Sequence, residues 1–278
     1  MNTDRPPLAD THCHLTSPQF DKDRGEVLKR AKEEGVNRFL VPGLDLASSR
    51  RAVELSQRYP EIYVAVGFHP HNAKDWNRST KQELRELAQS DKVVAIGEIG
   101  LDYYRNLSPR EKQRSVFQEQ LDLALEMELP VVIHNRNSID DLMSCIESWS
   151  ARLPTTLRSA PGVLHANSAD LENTHKFIEA GFFIGVAGPI TYKKAEVLRR
   201  ITAELPLERV ILETDAPYLT PNPKRGKRNE PSYLQLIAQQ CATLFEVSLN
   251  TISATTSQNA TELFSWNHEY TEKTTFEE

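Results

Sequence analysis

The sequence predicts a single-domain (β/α)₈ barrel, and three observations support this. Eight short apolar runs alternate with amphipathic segments of helical length. The runs are continuous rather than alternating, as in parallel strands covered on both faces. No Gly-x-Gly-x-x-Gly turn opens the first β–α unit, which disfavours an open dinucleotide-binding sheet.

The first run, Leu8–His14, leads into a helical pattern over Asp23–Glu34, with Gly35 where a left-handed cap is expected. Arg38–Val41 is followed by Leu46–Arg58, and Ile62–His69 by Lys81–Gln89. Val93–Leu101 precedes a long helix over Pro109–Glu128. There Ser108 reads as the N-cap, Pro109 as the first helical residue and Glu111 as a first-turn carboxylate. Pro130–His134 pairs with Ile139–Trp149, and Gly162–His165 with Asp170–Ala180, which Gly181 ends. Phe182–Val186 precedes Ala195–Glu204, and Arg209–Asp215 is the eighth run. Tyr233–Phe245 and Gln258–Phe264 read as closing helices. The barrel is expected over 1–265, with 266–278 a polar tail that frays.

Composition narrows the class. The 278 residues carry 33 Lys and Arg against 39 Asp and Glu, a net charge of −6, so the chain is not expected to coat nucleic acid non-specifically. A hydrophobic share of 39% excludes a disordered chain. No stretch approaches the roughly 18 apolar residues of a membrane span, and the N-terminus does not read as a signal peptide. Three scattered cysteines argue against a disulfide framework and for a reducing cytoplasm. Without a coiled-coil pattern, a monomer is expected.

The chemistry gathers at the ends of the runs. In Asp10-Thr-His12-Cys-His14 the acid and both histidines share one strand face, and Cys13 points to the helix layer. That pair alone is equally a packed, hydrogen-bonded couple. Glu98, His134, His165 and Asp215 each end a further apolar run, and a barrel gathers all such ends on its C-terminal face. Four histidines and two carboxylates suit two divalent cations with a carboxylate between them. Unpaired charges are rarely buried without purpose. His69 and His71 end the third run and read as substrate contacts or as turn residues.

The strings Asp10–Leu15, Gly67-Phe-His-Pro-His71, Gly97-Glu-Ile-Gly-Leu-Asp-Tyr103, Pro130–Arg136, Glu213-Thr-Asp-Ala-Pro-Tyr-Leu219 and Gly226–Pro231 span nearly the whole chain in order. With them the sequence resembles the TatD family of metal-dependent deoxyribonucleases. The resemblance implies a TIM-like barrel. It implies His12 and His14 on one cation with Asp215 beside it, Glu98 as the bridge, and His134 and His165 on the second cation. Two residues depart from the usual sixth-strand motif: Asn167 stands for an aromatic and Ala169 for a glycine.

The reaction expected is 3′–5′ exonucleolytic hydrolysis of DNA, single-stranded or at 3′ ends, by water activated between two cations, which are Mg²⁺, Mn²⁺ or Zn²⁺. Asp215 is expected to take the water proton, since bridging uses the oxygens of Glu98. Candidate substrate contacts are His69, Arg136, Tyr103 and the basic run Lys224, Arg225, Lys227 and Arg228 in the loop after the eighth run, where this fold often holds phosphate. The run reads equally as solvated surface, and Tyr103, Tyr104 and Tyr218 read as stacking on a base or, more simply, as packing. The competing enzyme reading is an amidohydrolase or esterase acting on a cyclic amide, a lactone or an aminoacyl-tRNA ester. Related barrels of that kind often bridge with a carbamylated lysine, and Glu98 takes that place here.

Overall fold

The computed structural model describes residues 6–266. Residues 267–278 of the expected tail, His268 among them, lie outside the described residues. Eight parallel strands follow one another in chain order in one sheet: β1 (Leu8–Asp10), β2 (Val36–Pro42), β3 (Ile62–Val66), β4 (Val93–Asp102), β5 (Val131–Arg136), β6 (Gly162–Leu164), β7 (Phe183–Val186) and β8 (Val210–Leu212). Beyond the last ladder, the Thr11 amide donates to the Leu212 carbonyl, Asp215 to His12 and His14 to Ala216, so β8 returns to β1 and the barrel closes. The chain is a TIM-type barrel, as the sequence predicts.

The helices are α1 (Arg24–Glu33), α2 (Leu46–Arg58), α3 (Arg78–Leu87), α4 (Arg110–Met127), α5 (Ile139–Ser150), α6 (Leu171–Glu179), α7 (Glu196–Ala203), α8 (Leu234–Leu244) and α9 (Leu249–Phe264). Gly35 and Gly181 take positive φ of 80° and 90°, the left-handed caps expected of them.

Two helix starts differ from expectation. Ser108 does not cap α4. Its hydroxyl donates to the His71 carbonyl and accepts from the Lys74 amide, so it ties two loops together. The last helix begins at Leu249 rather than Gln258. Its Ser- and Thr-rich first half reads as a poor helix, but Ser248 caps it and burial of Ile252, Ser253 and Thr256 overrides propensity.

Adjacent strand residues divide the core. Phe39, Ile133, Ile184 and Leu212 face the helix layer, while Leu40, Val132, Phe183 and Ile211 fill the barrel. Ala260, Leu263, Phe264 and Trp266 close the interior from below. Helix α9 sits there because Asn259 donates to the Val210 carbonyl at the start of β8 and Ser257 to the Pro7 carbonyl just before β1. Trp266 is 1% exposed and packs on Tyr63 and Phe264. It is part of the barrel, which moves the expected tail boundary past it.

Candidate active site

Strand ends deliver the donors. His12 and His14 lie just past β1, where alternate backbone bonds tie the segment to β2 (Cys13 amide to Leu40 carbonyl) and to the chain after β8. The Cys13 side chain packs in the helix-side core, as the alternation requires, with its thiol donating to the Leu40 carbonyl oxygen. Asp215 follows β8 with φ of 56°, a left-handed conformation costing a side-chain-bearing residue roughly 1–2 kcal/mol. Its amide bonds the His12 carbonyl and its carbonyl accepts from the Tyr218 amide, so the turn is held at both ends. Gly100 in β4 has φ of 142°, and a Cβ there would meet the His134 carbonyl oxygen. That glycine lets β4 run close beside the strand carrying His134.

The side chains converge around Glu98. Its Oε2 lies 3.3 Å from His12 Nε2 and 3.8 Å from His14 Nε2. Its Oε1 lies 2.8 Å from His134 Nδ1 and 3.6 Å from His69 Nε2. The two oxygens of one carboxylate therefore face different histidine pairs. Asp215 Oδ1 lies 3.1 Å from His14, 3.8 Å from His165 and 3.9 Å from His12. Three groups of donors are compact enough to share a cation: His12, His14 and Glu98; His12, His165 and Asp215; and His69, Glu98 and His134. His165 thus gathers with His12, on which its ring stacks at 3.5 Å, and not with His134 as the resemblance implies.

The donor set fits divalent cations. Zn–N bonds of about 2.0–2.1 Å in a tetrahedral shell place neighbouring ligand atoms roughly 3.3–3.4 Å apart. His12 and His14 Nε2 are 3.3 Å apart, and their buried Nδ1 atoms have no hydrogen-bond partner.

Hydrogen bonding sorts the histidines further. His134 turns Nε2 to Asp102 Oδ2 (3.3 Å), which leaves Nδ1 as the atom facing Glu98. His165 Nδ1 lies 2.8 Å from Glu213 Oε1, an ion-pair contact without hydrogen-bond alignment, and its Nε2 faces Asp215. With a cation bound, the carboxylate behind each ring would hold the remaining ring proton and leave a lone pair toward the centre. His69 is the reverse case. Its Nδ1 accepts from the His71 amide, so the neutral ring carries its proton on Nε2 and points an N–H donor at Glu98. That state suits an anionic oxygen better than a cation, although His69 sits within a donor group.

The charges follow from these contacts. Burial keeps His12 below, and His69 well below, the ordinary imidazole range. Burial also acts on His134 and His165, but the Asp102 and Glu98 bonds raise His134, and Glu213 lifts His165 to about 10. Burial would raise Glu98, yet the facing His69 and His12 hold it well below the carboxylate range. Cation binding here would therefore displace protons. Asp10 stands behind the site rather than in it, hydrogen-bonded to Thr214, and burial pushes it up to about 7.

Two buried carboxylates went unread in the sequence. Asp102 also accepts from His71 Nε2 (2.8 Å) and from the amides of Tyr104 and Arg105. Glu213 fits because position 185 is glycine; a Cβ there would lie 2.6 Å from its oxygens. Both lie inside the strings quoted above, and a charge at or beside the end of an apolar strand was the available signal. Asp102→Asn turns an N–H donor or a weaker acceptor toward His134. It is expected to weaken Mn²⁺ or Zn²⁺ binding by about 10–100-fold in a calorimetric titration while the melting temperature stays near wild type. Unchanged affinity would remove Asp102 from this role.

The expected substrate contacts separate into two classes. Arg136 is exposed, its guanidinium 4.3 Å from the Tyr104 ring centre. Lys224, Arg225 and Lys227 have no carboxylate partner among the described residues; Arg225 lies over Tyr192 and Lys224 over Tyr233. Arg228, by contrast, binds both oxygens of Asp23 (2.8 and 2.7 Å) and Glu230 (2.9 Å), so it staples the β8 loop to α1 and has no free fork for phosphate. Tyr103 is half-buried, donating to Asp141 at 2.6 Å beneath Arg110. Asn167 bonds Thr174 and the Ala169 amide. Asn167 and Ala169 line a cavity of about 340 Å³ against α7 that none of the donors borders.

The profile of the family described as TatD related DNase matches residues 9–265. The chain belongs to the TatD family. Members of similar sequence include a Bacillus subtilis protein named as the uncharacterized metal-dependent hydrolase YabD, 40% identical over 92% of this chain and 98% of that one. A 3′-5′ ssDNA/RNA exonuclease TatD of Erwinia tasmaniensis is 38% identical over 92% and 99%. The crystal structure of YjjV, a TatD homolog from Escherichia coli K12, matches with a TM-score of 0.86 at 32% identity over 94% and 98%. This TatD-family protein is accordingly a metal-dependent hydrolase. No helix among the described residues is long and apolar enough to cross a membrane.

Proposed function

We propose that this TatD-family hydrolase removes nucleotides from the 3′ end of single-stranded DNA with two divalent cations, one on each side of Glu98. The observation that carries the reading is the division of Glu98, with Oε2 toward His12 and His14 and Oε1 toward His134. The relatives named as 3′-5′ ssDNA/RNA exonucleases support the substrate class. His12, His14 and Asp215 would hold one cation together with Glu98, and His134 would join Glu98 on the other, with His165 beside Asp215 and stacked on His12. Bound there, the cations would supply the positive charge that attack of water on a phosphodiester requires.

The chain's own groups do the rest. Asp215 accepts the proton of the attacking water. Its side chain keeps 12% exposure against 4% for Glu98, and its Oδ1 faces His14, His165 and His12 at 3.1, 3.8 and 3.9 Å. His69 offers its Nε2–H to a phosphoryl oxygen, and Arg136 a guanidinium two residues beyond His134. Lys224, Arg225 and Lys227 draw in the strand electrostatically, a contribution that salt would weaken. We place the enzyme in the cytoplasm as a monomer; its three cysteines are free thiols, as a reducing compartment requires.

A single-stranded oligonucleotide labelled at its 5′ end, incubated with Mg²⁺, Mn²⁺, Zn²⁺ or EDTA, tests the proposal. Expected is a metal-dependent ladder shortening from the 3′ end, lowered by at least about 10²-fold in Asp215→Ala. An intact oligonucleotide under every metal, with turnover of a lactone or cyclic amide, would transfer the same centre to carbonyl chemistry.

A further inference from the structure

Four large apolar side chains stand exposed among the described residues: Tyr104 (60%), Leu107 (57%), Val197 (60%) and Tyr218 (50%). All four lie on segments that leave the C-terminal ends of strands: Tyr104 and Leu107 after β4, Val197 in the first turn of α7 after β7, and Tyr218 after β8. Exposed apolar groups scattered singly need no explanation, but this set is confined to the face where the donors gather.

Tyr104 is the most constrained of them. Its amide donates to Asp102 Oδ1 at 3.0 Å, and the Arg105 amide to the same oxygen at 2.7 Å. The other oxygen of Asp102 faces His134 and His71. The preceding residue, Tyr103, bonds the Arg136 carbonyl through its amide, which continues the β4–β5 ladder. The Arg136 guanidinium then covers the Tyr104 ring at 4.3 Å. Arg136 shares a strand face with His134, about 6.6 Å farther along. Ring, guanidinium and His134 are therefore positioned by the same few bonds. The neighbouring Tyr103 commits its hydroxyl to Asp141 of α5. Tyr104 is clamped on one side and still leaves more than half of its surface to solvent.

We infer that Tyr104, backed by Arg136, is a stacking subsite for an unpaired nucleobase beside the scissile phosphodiester. An aromatic ring in a fixed orientation takes any base, because every base has a π-face, and a cation on its far side strengthens the stack. The subsite favours a strand end whose base is free to leave the helix. This inference rests on the nuclease reading above and specifies what that site grips.

Two 5′-labelled single-stranded DNA oligonucleotides test it with Mn²⁺ present. One is ordinary; in the other, both nucleotides flanking the last phosphodiester are abasic. Wild type is expected to prefer the ordinary oligonucleotide by about 5- to 150-fold in kcat/KM. Tyr104→Ala is expected to lose that preference through a raised KM, while its rate on the abasic oligonucleotide matches wild type. Tyr104→Phe keeps the ring and should keep the preference, and Leu107→Ser, on the same exposed rim, should change neither rate. Equal rates of wild type on both oligonucleotides, or a preference that survives in Tyr104→Ala, would overturn the subsite and leave the nuclease reading standing. Failure of wild type to cut either would overturn both.

Discussion

Glu98→Gln is expected to lower turnover on DNA by about 10²–10³-fold or more, the scale for losing one charge-stabilising group in a desolvated centre. The substitution keeps the shape and removes the charge. It also makes the two ends of the group unequal: a carbonyl oxygen remains for one histidine pair, and an N–H₂ with no lone pair to offer faces the other. His12 and His14 lie at 3.3 and 3.8 Å on one side, and His134 and His69 at 2.8 and 3.6 Å on the other, so neither orientation of the amide serves both. Metal content after dialysis, measured by mass spectrometry, should fall together with turnover. The melting temperature separates this from unfolding, because the buried carboxylate lies among histidines and not in the apolar core. Full metal loading with turnover within about tenfold of wild type would remove Glu98 from its place between the cations.

Trp266→Ala is expected to cost about 3–5 kcal/mol, as for other large aromatic deletions in cores, and to lower Tm by roughly 6–20 °C for a chain of this size. The indole is 1% exposed and contacts Tyr63 and Phe264 at the end of the barrel away from the donors. Activity per folded molecule at low temperature should therefore persist while thermal stability falls. A chain ended after Ser265 should behave like the substitution. A Tm within about 2 °C of wild type would return Trp266 to the tail, since a surface residue costs little.

Both expectations concern residues that the sequence treated differently. Glu98 was legible because a carboxylate closing Val93–Gly97 is expensive unless it has a partner. The same reasoning picks out His134, His165 and Asp215, and the eight apolar runs locate the strands that carry them. Trp266 was misread because polar neighbours surround it in sequence, and the cavity it fills is made by strands two hundred residues earlier. The start of α9 was misread for a related cause: Thr and Ser are weak helix formers until a buried face outweighs them. The basic run shows the limit from the other side. Its charges are obvious in the sequence, but nothing local says that Arg228 meets Asp23 and Glu230 while Arg225 stays exposed.

What the sequence determined by itself is therefore the barrel, the order of its elements and the strand ends at which the six candidate donors stand, because burial and strand period are written in local pattern. Only the tertiary structure decided how those donors are grouped. It turned the oxygens of Glu98 to opposite sides, drew His165 toward His12 and Asp215, and set Asp102 and Glu213 behind their histidines. Of the tyrosines the sequence offers for stacking, it left Tyr104 and Tyr218 exposed and bonded Tyr103 to Asp141. Each of these is a contact across the closed barrel between residues tens to hundreds of positions apart. Such contacts depend on where the backbone goes as the ring of strands closes, and local pattern carries no record of that path.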